Sequence, residues 1–353
     1  MGASSIRSYE REVKLAVPGA AGAVRQSVRW TLNLSWMLML LCVLRVAVAD
    51  DDVSLLDNYP GRLIAVGDHR LHLYCIGSGA PTVVFESGIG GLSLEWRDLQ
   101  ERLATRQRVC SYDRAGYGWS DFVAAPATAA RSADELHELL SRAAESGPYL
   151  LIGHSYGGFI LRWFALRHGD EVAGLVLLDS SAPEQFERLP LAALPQVPSG
   201  PPRRALRMPQ LPAGFPATHS TTAMALMLLP KARLASVAEL RGFAASAHAL
   251  AAAPERLLRV PIVVVSRGRG VFDEAAGGAA SDAVWRNMQS GMTRLSSHAA
   301  QWIARGAGHL VHLDRPDLVL RAVGNIAAPA TSMQAAGGSR NLAFAAVLMS
   351  PPP

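Results

Sequence analysis

Short apolar runs alternate with helical stretches beyond Asp57, and this alternation predicts the architecture of the chain. Six of the runs have the length and apolar character of β-strands. They are Arg70–Ile76, Thr82–Glu86, Arg108–Tyr112, Tyr149–Gly153, Leu175–Asp179 and Ile262–Ser266. The later runs are apolar on both faces, as expected for a parallel sheet that helices cover on both sides.

Helical periodicity occupies the spaces between these runs, over Arg131–Ala144 and Phe159–Arg167. Strands that alternate with helices predict βαβ units, and so a protein of the α/β class with a mostly parallel central sheet. No period of 20 to 50 residues repeats, which excludes solenoids and propellers.

Residues 182–254 interrupt the alternation and hold eleven of the 22 prolines, with helical patches only at Ala223–Leu229 and Val237–Leu250. We expect this segment to be an insertion that lies over one end of the sheet. The tail, residues 328–353, is rich in small residues and is expected to be flexible, with a short packed helix as the alternative.

An apolar segment at residues 30–49 is about as long as a helix that crosses a membrane. A basic arm, residues 1–29, precedes it and three aspartates follow, which predicts a single-pass anchor with the remaining chain outside the cytoplasm. Ala47-Val48-Ala49 also fits a signal-peptide cleavage site, which would yield a secreted or periplasmic protein. A buried helix in a cytosolic protein is the third alternative.

The composition narrows the classes of protein. Half of the residues are hydrophobic and 18% are charged, which excludes extensive disorder. The net charge is +5, but the basic residues form no dense stripe, so we expect no nucleic-acid partner. Cys42, Cys75 and Cys110 match no zinc spacing, so we expect no metal site of that kind. In an oxidising compartment, Cys75 and Cys110 can form a disulfide or remain separate thiols.

A G-x-S-x-G sequence, Gly153 to Gly157, follows a predicted strand and precedes a predicted helix. In that context the motif is a nucleophile elbow, in which a strained turn exposes the serine hydroxyl and glycines relieve crowding between strand and helix. Ser155 is therefore the candidate nucleophile. The alternative is a glycine-rich turn with an idle serine, and His154 is expected to be structural.

Three further motifs extend the pattern: Gly61–Cys75, Glu86–Gly91 and Tyr112–Ser120. With the elbow, they give the chain a strong resemblance to the α/β-hydrolase superfamily from about Pro60 to Ala327, in a branch that often carries an N-terminal membrane helix. The resemblance implies an α/β-hydrolase domain over residues 58–327, with residues 182–254 as an inserted lid or cap. It also implies that Cys75 and Cys110 fall on neighbouring strands.

A serine hydroxyl needs a base to become an effective nucleophile, and the base needs an orienting acid. His309 is the candidate base, because flanking glycines let its loop approach the elbow and the resemblance assigns the catalytic histidine to this position. His312 is the alternative, although its apolar neighbours suggest packing.

The sequence leaves two aspartates as the main candidates for the orienting acid. Asp179 closes a predicted strand and preserves the serine, acid, histidine order of the superfamily. Asp273 lies in the commoner location, after the next strand, but with unusual spacing, and Glu274 is a minor third candidate. We favour Asp179.

The oxyanion hole is expected to use the main-chain N–H groups of Tyr156 and Ile89. The resemblance implies a serine hydrolase that acts on a small-molecule carboxylic ester with no metal or organic cofactor. Residues 182–254 are rich in Leu, Met, Ala and Pro, which suggests that the acyl or alcohol group is apolar. Ser155 argues against halide- and epoxide-processing activities, whose relatives use an aspartate nucleophile. A non-catalytic ligand-binding or sensing protein, and acyl-transfer, amide- or C–C-bond chemistry, are the alternatives. The sequence determines no oligomeric state.

Overall fold

The structure, a computed structural model, describes residues 56–197, 210–253 and 257–336, with side chains described as far as residue 327. The predicted basic arm, the predicted anchor or signal segment at residues 30–49, and residues 337–353 lie outside this part of the chain. Among the helices within it, none has the length and apolar character needed to cross a membrane.

One eight-stranded sheet forms the centre of the fold, with the strand order β1-β2-β4-β3-β5-β6-β7-β8. The strands are β1 (Arg62–Val66), β2 (His69–Ile76), β3 (Thr82–Glu86), β4 (Val109–Asp113), β5 (Tyr149–His154), β6 (Val172–Leu178), β7 (Ile262–Arg267) and β8 (Ala299–Ala304). β1 pairs antiparallel with β2, and β2 pairs antiparallel with β4. The remaining pairs are parallel, which confirms the predicted class. Each of the six predicted runs overlaps a strand of this sheet, and β1 and β8 are the two strands outside those runs.

Helices lie on both faces of this sheet. They are α1 (Arg97–Ala104), α2 (Ala129–Arg142), α3 (Gly157–Arg167), α4 (Gln185–Arg188), α5 (Ser220–Leu228), α6 (Pro230–Ala251), α7 (Gly278–Gly291), α8 (Val311–Asp314) and α9 (Pro316–Ala336). α9 continues past the predicted tail boundary at residue 328, so that boundary falls inside a helix.

The apolar character of the central strands follows from two cores, one on each face of the sheet. In β5, Leu151 contributes to the core beneath α2 and α3, whereas Leu150 and Ile152 contribute to the core beneath α1 and α9. Successive side chains of a strand point to opposite faces, so a strand between two cores must be apolar at each position.

Residues 182–253, here called the cap segment, carry α4, α5 and α6. α6 begins at Pro230, seven residues before the predicted patch, because proline is favoured in the first turn of a helix. Phe243 of α6 packs against Phe159 of α3, with the ring centroids 5.6 Å apart. The cap segment is thereby attached to the helix that follows the nucleophile elbow.

A disulfide joins the two strands that pair on the antiparallel side of the sheet. Cys75 of β2 lies opposite Cys110 of β4 in the strand register, and the two sulfur atoms are bonded. Of the two alternatives for these cysteines, the disulfide is the one that the structure contains.

Candidate active site

Ser155 occupies the sharp turn between β5 and α3. Its φ angle is 52°, in the left-handed region that non-glycine residues rarely adopt. A Cβ on Gly157 would lie 2.6 Å from the Glu86 carbonyl oxygen, and one on Gly153 would lie 2.8 Å from a methyl of Leu161. Both glycines of the motif are thus required by close approach of the backbone, as the elbow interpretation predicts.

His309 and Asp179 meet at the same end of the sheet. His309 lies in the loop between β8 and α8, and its Nδ1 is 2.7 Å from Oδ2 of Asp179. Asp179 follows β6 directly, is fully buried and has a φ angle of 39°. The structure therefore pairs the predicted base with the favoured acid.

The rival acids are occupied elsewhere. Asp273 is exposed, and its Oδ1 accepts a hydrogen bond of 2.9 Å from the N–H of Ala276, so it caps a short 3₁₀ turn. Glu274 is the first residue of that turn and is also exposed. Neither carboxylate makes a hydrogen bond with His309 in the part of the chain that the structure describes.

Asp179 is held as an anion by donors on all sides. Its Oδ1 accepts from Trp285 Nε1 at 2.8 Å and from the N–H of Arg267 at 3.2 Å, and its Oδ2 accepts from Arg267 Nη1 at 2.9 Å. Burial alone would raise the pKa of Asp179, but the hydrogen bond to His309 and the charge of Arg267 outweigh it and lower the pKa below its usual range. The carboxylate is consequently ionised at neutral pH.

Arg267 and Trp285 were not predicted from the sequence as residues of the site. Arg267 closes β7 at the sheet edge where Asp179 follows β6, so a charged residue ending an apolar strand was a usable signal. Trp285 lies on α7, and nothing in the sequence connects it with an aspartate 106 positions earlier.

Ser155 and His309 line one cavity of about 390 Å³. The imidazole of His309 is 37% exposed, in contrast to the buried acid behind it, so it is open to a bound molecule on its free side. The fold therefore brings together two groups that lie 154 positions apart in the chain.

The other two histidines of this region have structural positions. His154 Nε2 lies 2.9 Å from the His309 carbonyl oxygen, which can only accept, so Nε2 carries the proton and holds the His309 loop. His312 is buried on α8 and stacks on Trp96 with a centroid separation of 4.3 Å. Burial and the neighbouring His309 lower the pKa of His312 to about 3, so it stays neutral.

The predicted oxyanion donors lie beside Ser155. Ile89 lines the cavity, and Tyr156 stands at the N-terminus of α3 with its side chain buried against Phe243. Within the described residues, neither main-chain N–H has a protein acceptor. Free N–H groups at a helix start and in a neighbouring turn are suited to binding an anionic oxygen.

Most of the cavity wall is apolar. The cap segment contributes Leu189, Ala193, Pro195, Leu240 and Phe243, and the loops after β7 and β8 contribute Val271, Phe272 and Leu310. Besides Ser155 and His309, the polar part of the lining includes Gln185, Glu95 and Arg267. Such a division, with an apolar body and a few convergent polar groups, is typical of small-molecule sites.

Besides Glu145 with the disulfide-bonded Cys75 and Cys110, two groups of described side chains have ligand atoms within 4.8 Å of one another and so the composition of a metal site. One comprises Glu95, His154 and His312, and the other comprises His137, His168 and Glu171. Neither group contains the serine, the base or the acid of the candidate site.

Comparison with known proteins agrees with the observed fold. A family model for the alpha/beta hydrolase fold matches residues 81–234. The uncharacterized protein YqjL of Bacillus subtilis is 28% identical over 247 residues, which cover 70% of this chain and 83% of YqjL.

Solved structures extend the match to most of the chain. The enol-lactonase from Burkholderia xenovorans superposes with a TM-score of 0.54 at 18% identity and covers 75% of this chain and 99% of its own. The epoxide hydrolase CorEH gives a TM-score of 0.56 at 19% identity, with coverage of 76% and 98%. The chain has the α/β-hydrolase fold. The family model begins at residue 81 and gives no support to the predicted N-terminal membrane helix.

Proposed function

We propose that this protein is a serine hydrolase that cleaves carboxylic esters of apolar small molecules. The observation that carries the proposal is that Ser155 and His309 line one cavity and that a buried carboxylate lies directly behind the histidine. Ser155 is held in a strained elbow, His309 lines the same cavity, and the buried anion of Asp179 lies 2.7 Å from His309 Nδ1. This is the arrangement that a nucleophile, base and orienting acid require.

In the proposed mechanism, Asp179 accepts a hydrogen bond from the Nδ1–H of His309, which keeps the proton on Nδ1 and leaves Nε2 free as the base. His309 takes the hydroxyl proton while Ser155 Oγ attacks the ester carbonyl carbon. The resulting oxyanion accepts hydrogen bonds from the N–H groups of Ile89 and Tyr156. His309 then protonates the leaving alcohol, and water, activated by the same imidazole, releases the acid and restores Ser155.

The cavity wall supports an apolar substrate. A volume of about 390 Å³ accommodates a small molecule, and Leu240 and Phe243 present hydrocarbon where its acyl or alcohol group would lie. One structural neighbour is named an enol-lactonase, and a lactone is a cyclic carboxylic ester, but that likeness concerns the fold alone. The preference for esters rests on the site itself.

A fluorophosphonate probe tests the nucleophile. We expect it to label the wild type and not Ser155→Ala, because only a serine with an adjacent base reacts at a useful rate. Ser181 lines the same cavity, which makes Ser181→Ala the matched control that should retain labelling. Absence of labelling in folded wild-type protein would refute the proposal and favour a ligand-binding role.

A series of p-nitrophenyl esters tests the substrate class. Chains of increasing length should show a maximum in kcat/KM, because the apolar wall gains contact until the cavity is full. Leu240→Ala removes part of that wall, so the cavity becomes larger and the maximum is expected to move to a longer chain. A flat profile in both proteins would contradict a shaped apolar pocket.

We further propose that the domain acts outside the cytoplasm, since the Cys75–Cys110 disulfide is of a kind that persists in oxidising compartments. Alkylation of the denatured protein without reductant tests this. If residues 30–49 are retained, Cys42 should be the one thiol that reacts. If they are cleaved off, no thiol should react. Three reactive thiols would contradict the proposal.

A further inference from the structure

Arg114 lies in the loop that follows β4 and is almost completely buried. Its guanidinium donates to two consecutive main-chain carbonyls, those of Ser87 and Gly88, each at 2.7 Å. These residues begin the loop after β3 that carries the proposed oxyanion donor, Ile89. A single planar side chain therefore holds the backbone immediately before that donor.

The geometry of a peptide bond makes this contact consequential. The carbonyl of Gly88 and the N–H of Ile89 belong to one planar peptide unit, and in a trans unit they point in opposite directions. When Arg114 Nη2 binds the Gly88 oxygen, it directs the Ile89 N–H to the opposite side. Hydrogen bonding at the carbonyl also polarises the peptide and strengthens its N–H as a donor.

The cap segment completes this arrangement through Glu239 of α6. Its Oε1 accepts from Arg114 Nε at 2.7 Å and its Oε2 accepts from Arg114 Nη2 at 3.1 Å. Tyr117 donates its hydroxyl proton to Oε2 at 2.8 Å and accepts from the N–H of Gly90 at 3.3 Å. The Glu239 carboxylate is thus connected to both peptide units that flank the Ile89 Cα. Arg114 connects it to the Gly88–Ile89 peptide, and Tyr117 connects it to the Ile89–Gly90 peptide.

Charge explains why a carboxylate is needed at this position. Arg114 is inside the protein, where an unpaired cation is costly, and Glu86 and Glu239 are its two buried counterions. Glu86 belongs to β3 and is part of the sheet, whereas Glu239 belongs to the cap segment. The position of one of the two counterions, Glu239, therefore depends on the position of the cap segment.

The same helix also forms part of the substrate wall. Leu240 and Phe243 follow Glu239 by one and four residues and line the cavity. A molecule that packs against these side chains therefore contacts α6, the helix that also carries Glu239, the counterion of Arg114.

We propose that Arg114 and Glu239 are positioning residues that orient the Ile89 N–H as an oxyanion donor and couple its alignment to the position of cap helix α6. The inference rests on the proposed function, because it assigns these residues a role in that reaction. Glu239 is the residue through which the cap segment controls catalysis without touching the substrate.

Two conservative variants test the inference. Arg114→Lys keeps the cation but loses the fork that spans both carbonyls, and Glu239→Gln keeps the shape but loses the charge. Removal of one oxyanion donor typically lowers kcat by about 10²–10³-fold, so misalignment of that donor should lower kcat by at least about tenfold. KM for a p-nitrophenyl ester should stay within about twofold, because the ground state does not need the donor.

A trifluoromethyl ketone gives a readout that a purely structural role would not change. It forms a tetrahedral adduct with the serine and places an oxyanion in the hole, whereas the matching methyl ketone binds without appreciable adduct. Affinity for the trifluoromethyl ketone should fall in parallel with kcat/KM, and affinity for the methyl ketone should not change.

Lys231 provides the matched control, since it lies on the same helix and donates to the Ser120 carbonyl at 2.7 Å, away from the oxyanion loop. Lys231→Met removes another attachment of α6 and should leave kcat within about twofold. An equal loss in Lys231→Met and Glu239→Gln would attribute the effect to a loosened cap and overturn the inference.

The two proposals fail in different ways. Wild-type protein that neither reacts with fluorophosphonate nor binds the trifluoromethyl ketone would refute the hydrolase and with it the positioning role. Reactive wild type, with folded Glu239→Gln unchanged in kcat and ketone affinity, would refute the positioning role alone. If Arg114→Lys does not fold, Glu239→Gln decides the question, because it removes no atom from the core.

Discussion

Replacement of Asp179 by asparagine is the sharpest test of the proposed acid. Oδ1 of the carboxylate faces two donors that cannot become acceptors, Trp285 Nε1 and the N–H of Arg267, whereas Oδ2 faces one such donor, Arg267 Nη1, and His309, whose tautomer can change. The amide oxygen of the variant should therefore take the Oδ1 position. The amide nitrogen then faces His309 Nδ1, which is 2.7 Å away in the wild type. His309 must accept at Nδ1 and carry its proton on Nε2, where it cannot act as a base.

The expected loss is about 10⁴-fold in kcat, the size of effect seen when a triad histidine is held in the wrong tautomer. This corresponds to about 5 kcal/mol of transition-state stabilisation. Steady-state hydrolysis of a p-nitrophenyl ester measures it, with circular dichroism as the check on folding.

Asp273→Asn is the matched control for the same assay. The residue caps a short turn on the surface, and the amide oxygen of asparagine can accept the same hydrogen bond, so the replacement should change stability by less than about 0.5 kcal/mol and leave kcat within about twofold. The reasoning would be refuted if Asp179→Asn retained more than about a tenth of the activity, or if Asp273→Asn lost as much as Asp179→Asn.

Three further predictions concern stability. Burial raises the pKa of Glu95 from 4.5 to about 7, so the folded protein keeps a proton that the unfolded chain releases, and wild-type stability should decline between these pH values. Glu95→Gln removes that decline, and urea titrations at pH 4.5 and 8 should show the variant gaining on the order of 3 kcal/mol relative to wild type; a constant difference would contradict this. Replacement of both Cys75 and Cys110 by alanine, which opens a loop with a sequence separation of 35, should lower the free energy of unfolding by about 4 kcal/mol in urea, and unchanged stability would rule out the loop-entropy argument. Gly157→Ala would set a Cβ 2.6 Å from the Glu86 carbonyl oxygen, so the free energy of unfolding should fall by about 1–3 kcal/mol and the melting temperature should fall with it. An unchanged melting temperature would show that the elbow tolerates a side chain at this position.

The nucleophile elbow could be predicted from the sequence because its causes are local. A strand, a tight turn and a helix within nineteen residues, Tyr149 to Arg167, determine which positions need glycine, and the observed φ angle of Ser155 agrees with that pattern. The strands could be predicted for a similar reason, since burial on both faces requires apolar residues at successive positions.

The choice of acid was a tertiary question. Asp179 and Asp273 both follow strands that end at one edge of the sheet, so the sequence could narrow the candidates but not separate them on firm grounds. Packing separates them: Arg267 and Trp285 surround Asp179 with donors, whereas Asp273 caps a surface turn.

The amino-acid order by itself determined the class of fold, the elbow and the histidine loop, because periodicity, glycine spacing and strand ends depend on near neighbours in the chain. The tertiary structure alone decided the disulfide, the partner of His309 and the contact of Arg114 with Glu239, which lies 125 positions away. Contacts over such separations depend on how several elements pack together, and the energy of a buried charge depends on every group that surrounds it.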